Sequence, residues 1–177
     1  MFLRPLPESP IVSLWGKVIR ERTELLRRIL PLMGYQSYSS LRVLDIGAGT
    51  ADLLSAARSL GIGSVVAMDL SPLNCTYINR LGIPVVQADA ENIPFRARSF
   101  DIVTLCQVIE HIEYPQRMLE QIFSLLRPGS ILHIDTLTPG QYLRQGYQIP
   151  DGVKFRSRTR DAFCQGFIGA PFGVSRI

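Results

Sequence analysis

The apolar positions near the start of the chain follow a helical period. Ile11, Trp15, Val18, Leu25 and Ile29 fall three, four or seven residues apart and share one face. Lys17, Arg20, Glu21, Glu24, Arg27 and Arg28 fill much of the rest. Ser9 followed by Pro10 is a helix start, because serine caps and proline tolerates the first turn. Pro31 and Gly34 are predicted to end the helix. The three prolines of residues 1–10 make an irregular lead-in. An amphipathic helix of this kind docks its apolar face on a domain. A basic one also lies on a membrane surface or serves as a lid over a substrate pocket, and Trp15 suits either role.

From residue 41 short apolar runs alternate with helical stretches. Strands are predicted at Leu41–Ile46, Ser64–Asp69, Pro84–Gln87, Phe100–Cys106 and Ile131–Leu137, with helices at about 51–60, 72–81 and 115–126. Leu126-Arg-Pro-Gly-Ser130 is a turn, with Pro128 presetting one corner and Gly129 accepting positive φ. Strand–helix alternation predicts an α/β fold, a doubly wound and mostly parallel sheet with helices on both faces. Residues 1–38 form the N-terminal helix and linker, and residues 39–177 the domain proper. Ligands of such sheets bind beyond the carboxyl ends of the strands, where strand order reverses.

Composition narrows the classes. Of 177 residues 46% are hydrophobic and 19% charged, enough apolar material for a core, which excludes disorder. The formal charge of +4 is small and dispersed, so it makes no case for nucleic acid. Cys75, Cys106 and Cys164 lack metal-ligand spacing and make no disulfide framework, which fits a reducing, cytoplasmic setting. No apolar run approaches the roughly 20 residues that span a bilayer, and the first residues do not read as a secretory signal.

The chemistry lies at the predicted strand ends. The first runs into Asp45-Ile-Gly47-Ala48-Gly49-Thr50-Ala-Asp52, where the glycines permit a sharp turn and close approach of a ligand. That turn opens a helix whose free N–H groups attract an anionic group such as a carboxylate. Asp69 ends the second strand, 20 residues after Gly49, a distance at which an acidic residue accepts from ribose hydroxyls. Ser71 is placed to cap the next helix, leaving Asp69 for the ribose. A dinucleotide fingerprint needs Gly or Ala where this chain has Asp52, whose carboxylate repels a pyrophosphate. A nucleoside joined to a zwitterionic amino acid fits better, and S-adenosylmethionine is such a ligand.

With these residues in place, Val43-Leu-Asp-Ile-Gly-Ala-Gly-Thr50 resembles the first motif of the class I S-adenosylmethionine-dependent methyltransferases. Met68-Asp-Leu-Ser71, Gln87-Ala-Asp-Ala-Glu-Asn-Ile-Pro-Phe95 and Phe100 to Ile112 resemble their later motifs, in order and in register. The likeness covers about residues 40–138 and is greatest to the type-11, quinone-biosynthesis-like branch. It implies a Rossmann-like sheet, S-adenosyl-L-methionine as cofactor, and methyl transfer to a small-molecule acceptor. Asp45, Gly47, Ala48 and Gly49 would line the methionine end. Asp69 would take both ribose hydroxyls, Leu70 would pack on the adenine, and Asp89 and the Ala90 backbone would reach the adenine edge. Gln107 would lie near the methionine amino group or the sulfonium.

Methyl transfer from a sulfonium needs alignment, exclusion of water and sometimes a base. His111 is the candidate base, with a capping or buried role as the alternative. Some relatives carry Glu-x-x-Glu-His here and bind metal; this chain has Gln107 for the first Glu, so no metal site is expected. His133 lies within the fifth strand and reads as structural. The acceptor pocket is expected from residues 1–35 and 138–160, where Tyr142, Tyr147, Phe155, Arg144, Arg156, Arg158 and Arg160 cover a substrate or face solvent. Residues 152–163 resemble the approach to the helix before a sixth strand. The ten residues after Phe167 hold one strand at most, so the C-terminal edge is expected to be shortened. Either the chain is then a truncated or divergent member, or a partner chain completes the edge. The competing readings are an inactive cofactor-binding module, a nicotinamide-dependent enzyme and a nucleic-acid methyltransferase.

Overall fold

The computed structural model describes residues 10–135 and 154–157. Helix α1 spans Pro10–Ile29. A 3-10 turn, Leu30–Met33, follows and closes at Gly34, whose φ is +72° and whose N–H donates to the Pro31 carbonyl. Pro31 therefore starts a tighter turn and does not simply stop the helix. Its missing N–H is no loss in a first turn.

The remaining elements are β1 Arg42–Ile46, α2 Asp52–Ser59, β2 Ser64–Asp69, α3 Pro72–Arg80, β3 Val85–Gln87, β4 Phe100–Cys106, α4 Pro115–Leu125, β5 Leu126–Asp135 and β6 Lys154–Ser157. The sheet order is β3-β2-β1-β4-β5-β6. Every neighbouring pair is parallel. Strand order reverses between β1 and β4, so the ends of these two strands mark the crevice of a doubly wound sheet.

Side chains alternate across the sheet and give two cores. Val43, Val65, Ala67, Ile102 and Ile131 face α1, α2 and α3, packing with Leu26, Ile29, Leu54 and Ile78. Leu44, Ile46, Val103, Leu105, Leu132 and Ile134 face α4, packing with Met118, Leu119 and Ile122. The last turns of α1 are thus part of the central core. At the opposite end of the sheet Asp101 is buried; it accepts from the Arg42 N–H at 2.8 Å and from Arg127 at 3.0 and 3.1 Å. Its charge is fully engaged in holding β1, β4 and β5 together.

One expectation changes. Strand β5 begins at Leu126, not Ile131: Leu126 pairs with Phe100 and Ile131 with Ile102, so five steps on β5 oppose two on β4. The Arg-Pro-Gly turn is an excursion within the strand, with Gly129 at φ +80°. The approach to a helix expected at residues 152–163 lies mostly outside the described residues, and residues 154–157 of it are extended. They add β6 alongside β5, with Leu132 opposite Phe155 and His133 opposite Arg156. The expected Ser9 cap and the acceptor residues Tyr142, Arg144, Tyr147, Arg158 and Arg160 lie outside the described residues. So do Cys164 and the segment after Phe167.

Candidate functional site

The crevice is built from the ends of β1, β2, β4 and β5. Asp45 lies opposite Ala67 on β2 and Thr104 on β4, and Thr104 lies opposite His133 on β5. Asp45, Thr104 and His133 are all buried and form one polar row across the α1 face of the sheet. The Thr104 hydroxyl lies 2.5 Å from Asp45 Oδ1 and 3.3 Å from the Leu44 carbonyl. One hydrogen serves both, and the distances give it to Asp45 while that group is ionised. Burial is the main cause that raises the Asp45 carboxyl from 3.8 to about 6. The Thr104 hydrogen bond and Arg22 act against it; Asp69 and Asp52 add to it.

The glycine turn spends its own donors. The N–H groups of Gly47 and Ala48 donate to the Met68 carbonyl at 2.8 and 3.1 Å, and that of Ala51 donates to Ala48 at 2.7 Å. Gly49 N–H donates to Asp69 Oδ2 at 2.8 Å. Gly47 has φ +69°, and a methyl group there would come within 2.4 Å of Val108 Cγ2. Gly49 has φ +55° and open space where a side chain would be. Glycine is therefore required at position 47 for packing against the β4 exit, and at position 49 for conformation.

Asp69 is placed as predicted, at the end of β2, but it is not left free. Besides Gly49 it accepts from the Ser71 N–H at 2.9 Å and from Asn74 Nδ2 at 3.1 Å, both on Oδ1. Ser71 does cap α3, through the Asn74 N–H at 3.4 Å. A carboxylate offers about four acceptor positions, so three protein bonds leave about one. Leu70, next in the chain, is 66% exposed, a large apolar side chain held at the mouth of the crevice.

Asp89 is exposed and accepts locally from the Glu91 N–H at 2.9 Å, while Ala90 packs against the α4 core. Gln107 leaves β4 with φ +58°, a conformation non-glycine residues seldom adopt. Its N–H and its side-chain amide both donate to the Asp135 carbonyl, at 2.7 and 3.4 Å, which joins the ends of β4 and β5. Ala51, beside the glycine turn, is also left-handed at φ +57°. Strained backbone thus sits at the exits of both strands that flank the crevice. His111 is exposed, at the end of a 3-10 turn spanning Ile109–His111. Among the described residues no three His, Cys, Asp or Glu side chains gather as a metal-ligand set.

The sequence reading missed Arg22. Its guanidinium leaves α1 and pairs with Asp135 Oδ2 at 3.2 Å, over the ends of the strands. Burial works against its charge, but Cys106, Asp135 and Asp45 outweigh that and hold the cation more firmly than usual. A signal was present. Position 22 is four after Val18 and seven before Ile29, so a charged residue interrupts the apolar face.

A family profile described as a methyltransferase domain matches residues 44–134, just over half the chain. The chain belongs to the methyltransferase-domain family. Relatives include a ubiquinone biosynthesis O-methyltransferase of Parvibaculum lavamentivorans, 33% identical over 67% of this chain and 49% of that protein. A malonyl-[acyl-carrier protein] O-methyltransferase of Pectobacterium atrosepticum is 30% identical over 79% of this chain and 58% of its own length. This methyltransferase domain spans about half the length of the curated relatives it matches. Among solved structures, an S-adenosyl-L-methionine-dependent methyltransferase fold from Methanococcus maripaludis superposes with a TM-score of 0.60 at 20% identity, over 70% of this chain and 59% of that one. That likeness confirms the Rossmann-like doubly wound architecture.

Proposed function

We propose that the domain binds S-adenosyl-L-methionine at the ends of β1, β2 and β4 and transfers its methyl group to a small-molecule acceptor. One observation carries the choice of ligand. The crevice is rich in acceptors, Asp45 and Asp69, while the glycine-turn donors of Gly47, Ala48, Gly49 and Ala51 are spent within the protein. A pyrophosphate needs those donors, and Asp52 at the start of α2 repels it. An ammonium and ribose hydroxyls need acceptors. S-adenosyl-L-methionine supplies both, and with them a sulfonium-activated methyl group.

On this reading Asp45, Gly47, Ala48 and Gly49 form the methionine end, and Gln107 closes it from β4. Asp69 holds the ribose through its one open acceptor position. Taking both hydroxyls requires Asp69 to give up a protein bond, and the Asn74 contact, the longest of the three at 3.1 Å, is the cheapest to release. Leu70 covers the adenine, and Asp89 and Ala90 meet its edge. His111, exposed at the exit of β4, is the candidate base.

The names of the relatives favour an oxygen or carbon acceptor on a quinone precursor or a carrier-bound acid. No helix among the described residues is long and apolar enough to cross a membrane. We place the domain in the cytoplasm, with α1 as the surface able to meet a membrane where a lipid-like acceptor resides.

Calorimetric titration with S-adenosyl-L-methionine, and separately with NAD, tests the proposal. Binding of the first alone is expected. Binding of NAD, or of neither, would overturn it. Cofactor binding without methylation of any acceptor would leave a binding module and not an enzyme.

A further inference from the structure

We propose that Glu91 is a positioning residue that couples the loop after β3 to the segment leaving β4, so that a ligand held by the first orders the second. The inference rests on the reading of Asp89 and Ala90 as the adenine end. The observation is a bridge between elements distant in sequence. Glu91 Oε1 accepts from the N–H groups of Glu113 and Tyr114, at 2.9 and 3.1 Å. Tyr114 is the N-cap residue of α4, and its own side chain makes no cap bond. Pro115 follows and has no N–H to offer. The last two donors before α4 are therefore satisfied by a carboxylate from another loop, and a negative charge is favourable at that end of a helix.

Gln121, on α4, completes the bridge. Its Nε2 donates to the Glu91 carbonyl at 2.7 Å, and its Oε1 accepts from the Ile93 N–H at 3.0 Å. One side-chain amide thus grips the loop on both sides of Asn92. Upstream, the same loop is folded by Asp89, whose carboxylate accepts from Glu91 N–H at 2.9 Å and whose carbonyl accepts from Asn92 N–H at 2.9 Å. Upstream of the other anchor the chain runs back through the Ile109–His111 turn to the left-handed Gln107. Displacement at Asp89 and Ala90 is thereby transmitted to Gln107 and His111 through four hydrogen bonds and the rigid start of α4.

The test is hydrogen exchange with S-adenosylhomocysteine as the probe, on the wild type, Glu91→Gln and Glu91→Ala. In the wild type the probe should slow exchange in both 89–93 and 107–114. In Glu91→Ala it should slow only the first segment, with affinity about tenfold lower, within the ordinary range of coupling between sites. Glu91→Gln keeps an acceptor oxygen and should recover part of the second protection; it carries the test alone if the alanine variant does not fold. A purely structural Glu91 would speed exchange at 107–114 equally with and without the probe, and that result would overturn the coupling. Protection confined to 89–93 in the wild type would overturn it too, while leaving the cofactor reading intact. Failure of the wild type to bind the probe would overturn the cofactor reading itself, and this inference with it.

Discussion

Asp45→Asn should make the protein more stable at neutral pH and worse at holding its ligand. Asp45 is buried at the end of β1, and burial raises its carboxyl from 3.8 to about 6. A difference of about 2 units corresponds to about 3 kcal/mol between the protonated and ionised forms. Between about pH 4 and pH 6 the folded state binds more protons at this group than the unfolded chain does. Stability from this group therefore falls as pH rises through that window, and the full cost is present above about pH 6. Asparagine has nothing to titrate. Urea unfolding of both proteins across the window measures the difference, and groups common to both cancel. The asparagine variant should gain about 3 kcal/mol on the wild type between about pH 4 and pH 7. A difference that stays flat with pH would refute the burial argument.

A ligand role for the same carboxylate would account for such a cost. On the proposed reading a cationic ammonium at the methionine end would bind the ionised form, so wild-type affinity for S-adenosyl-L-methionine should fall about tenfold per pH unit below about pH 6. A carboxyl at its ordinary value would show almost no loss until about pH 4. In Asp45→Asn the affinity should be lower and independent of pH over this range. An unchanged, pH-independent affinity in the wild type would remove Asp45 from the ligand site.

Arg22→Gln should move the Asp45 transition to higher pH, because Arg22 is one of the groups that favour its ionised form; the pH-dependent unfolding of that variant reads the shift. Gly47→Ala should lose about 1–2 kcal/mol from its left-handed conformation alone, plus the overlap with Val108. Val108→Ala added to it should recover the overlap but not the conformational part, as equilibrium unfolding would show. Asp69→Ala should weaken cofactor binding by about 1.5–3 kcal/mol, the range for hydrogen bonds to a charged group; unchanged affinity in calorimetry would mean the ribose lies elsewhere. His111→Ala should leave cofactor affinity intact and slow transfer by about 10²–10⁴-fold where His111 is the base; undiminished turnover would make the residue structural.

The strands and helices were legible because each carries its own apolar pattern. The central strands read as short apolar runs because helices cover both faces of the parallel sheet, as the burial of Val43, Leu44, Asp45 and Ile46 shows, and the α1 and α4 faces repeat at helical spacing. The backbone sites were legible for a related reason: only glycine accepts φ +69° at position 47 beside Val108, so its presence marks the turn. Hydrogen-bond bookkeeping was not legible. Ser71 and Asn74 are local to Asp69, two and five residues on, but nothing local says that Gly49 will take a third acceptor position, because that donor is set by how the β1 and β2 exits meet. Arg22, Asp135, Thr104, Glu91 and Gln121 share that difficulty. Each acts across 22 or more residues of sequence, and all but Glu91, which lies on a loop, are polar on an element whose pattern speaks only of apolar burial. Arg22 shows the exception that can be used. A charge placed within an apolar stripe either breaks the core or reaches over its edge to a partner. Here the edge is the carboxyl end of the sheet, where an open sheet of this kind binds its ligand. The interruption of a stripe is therefore itself a pointer to the site.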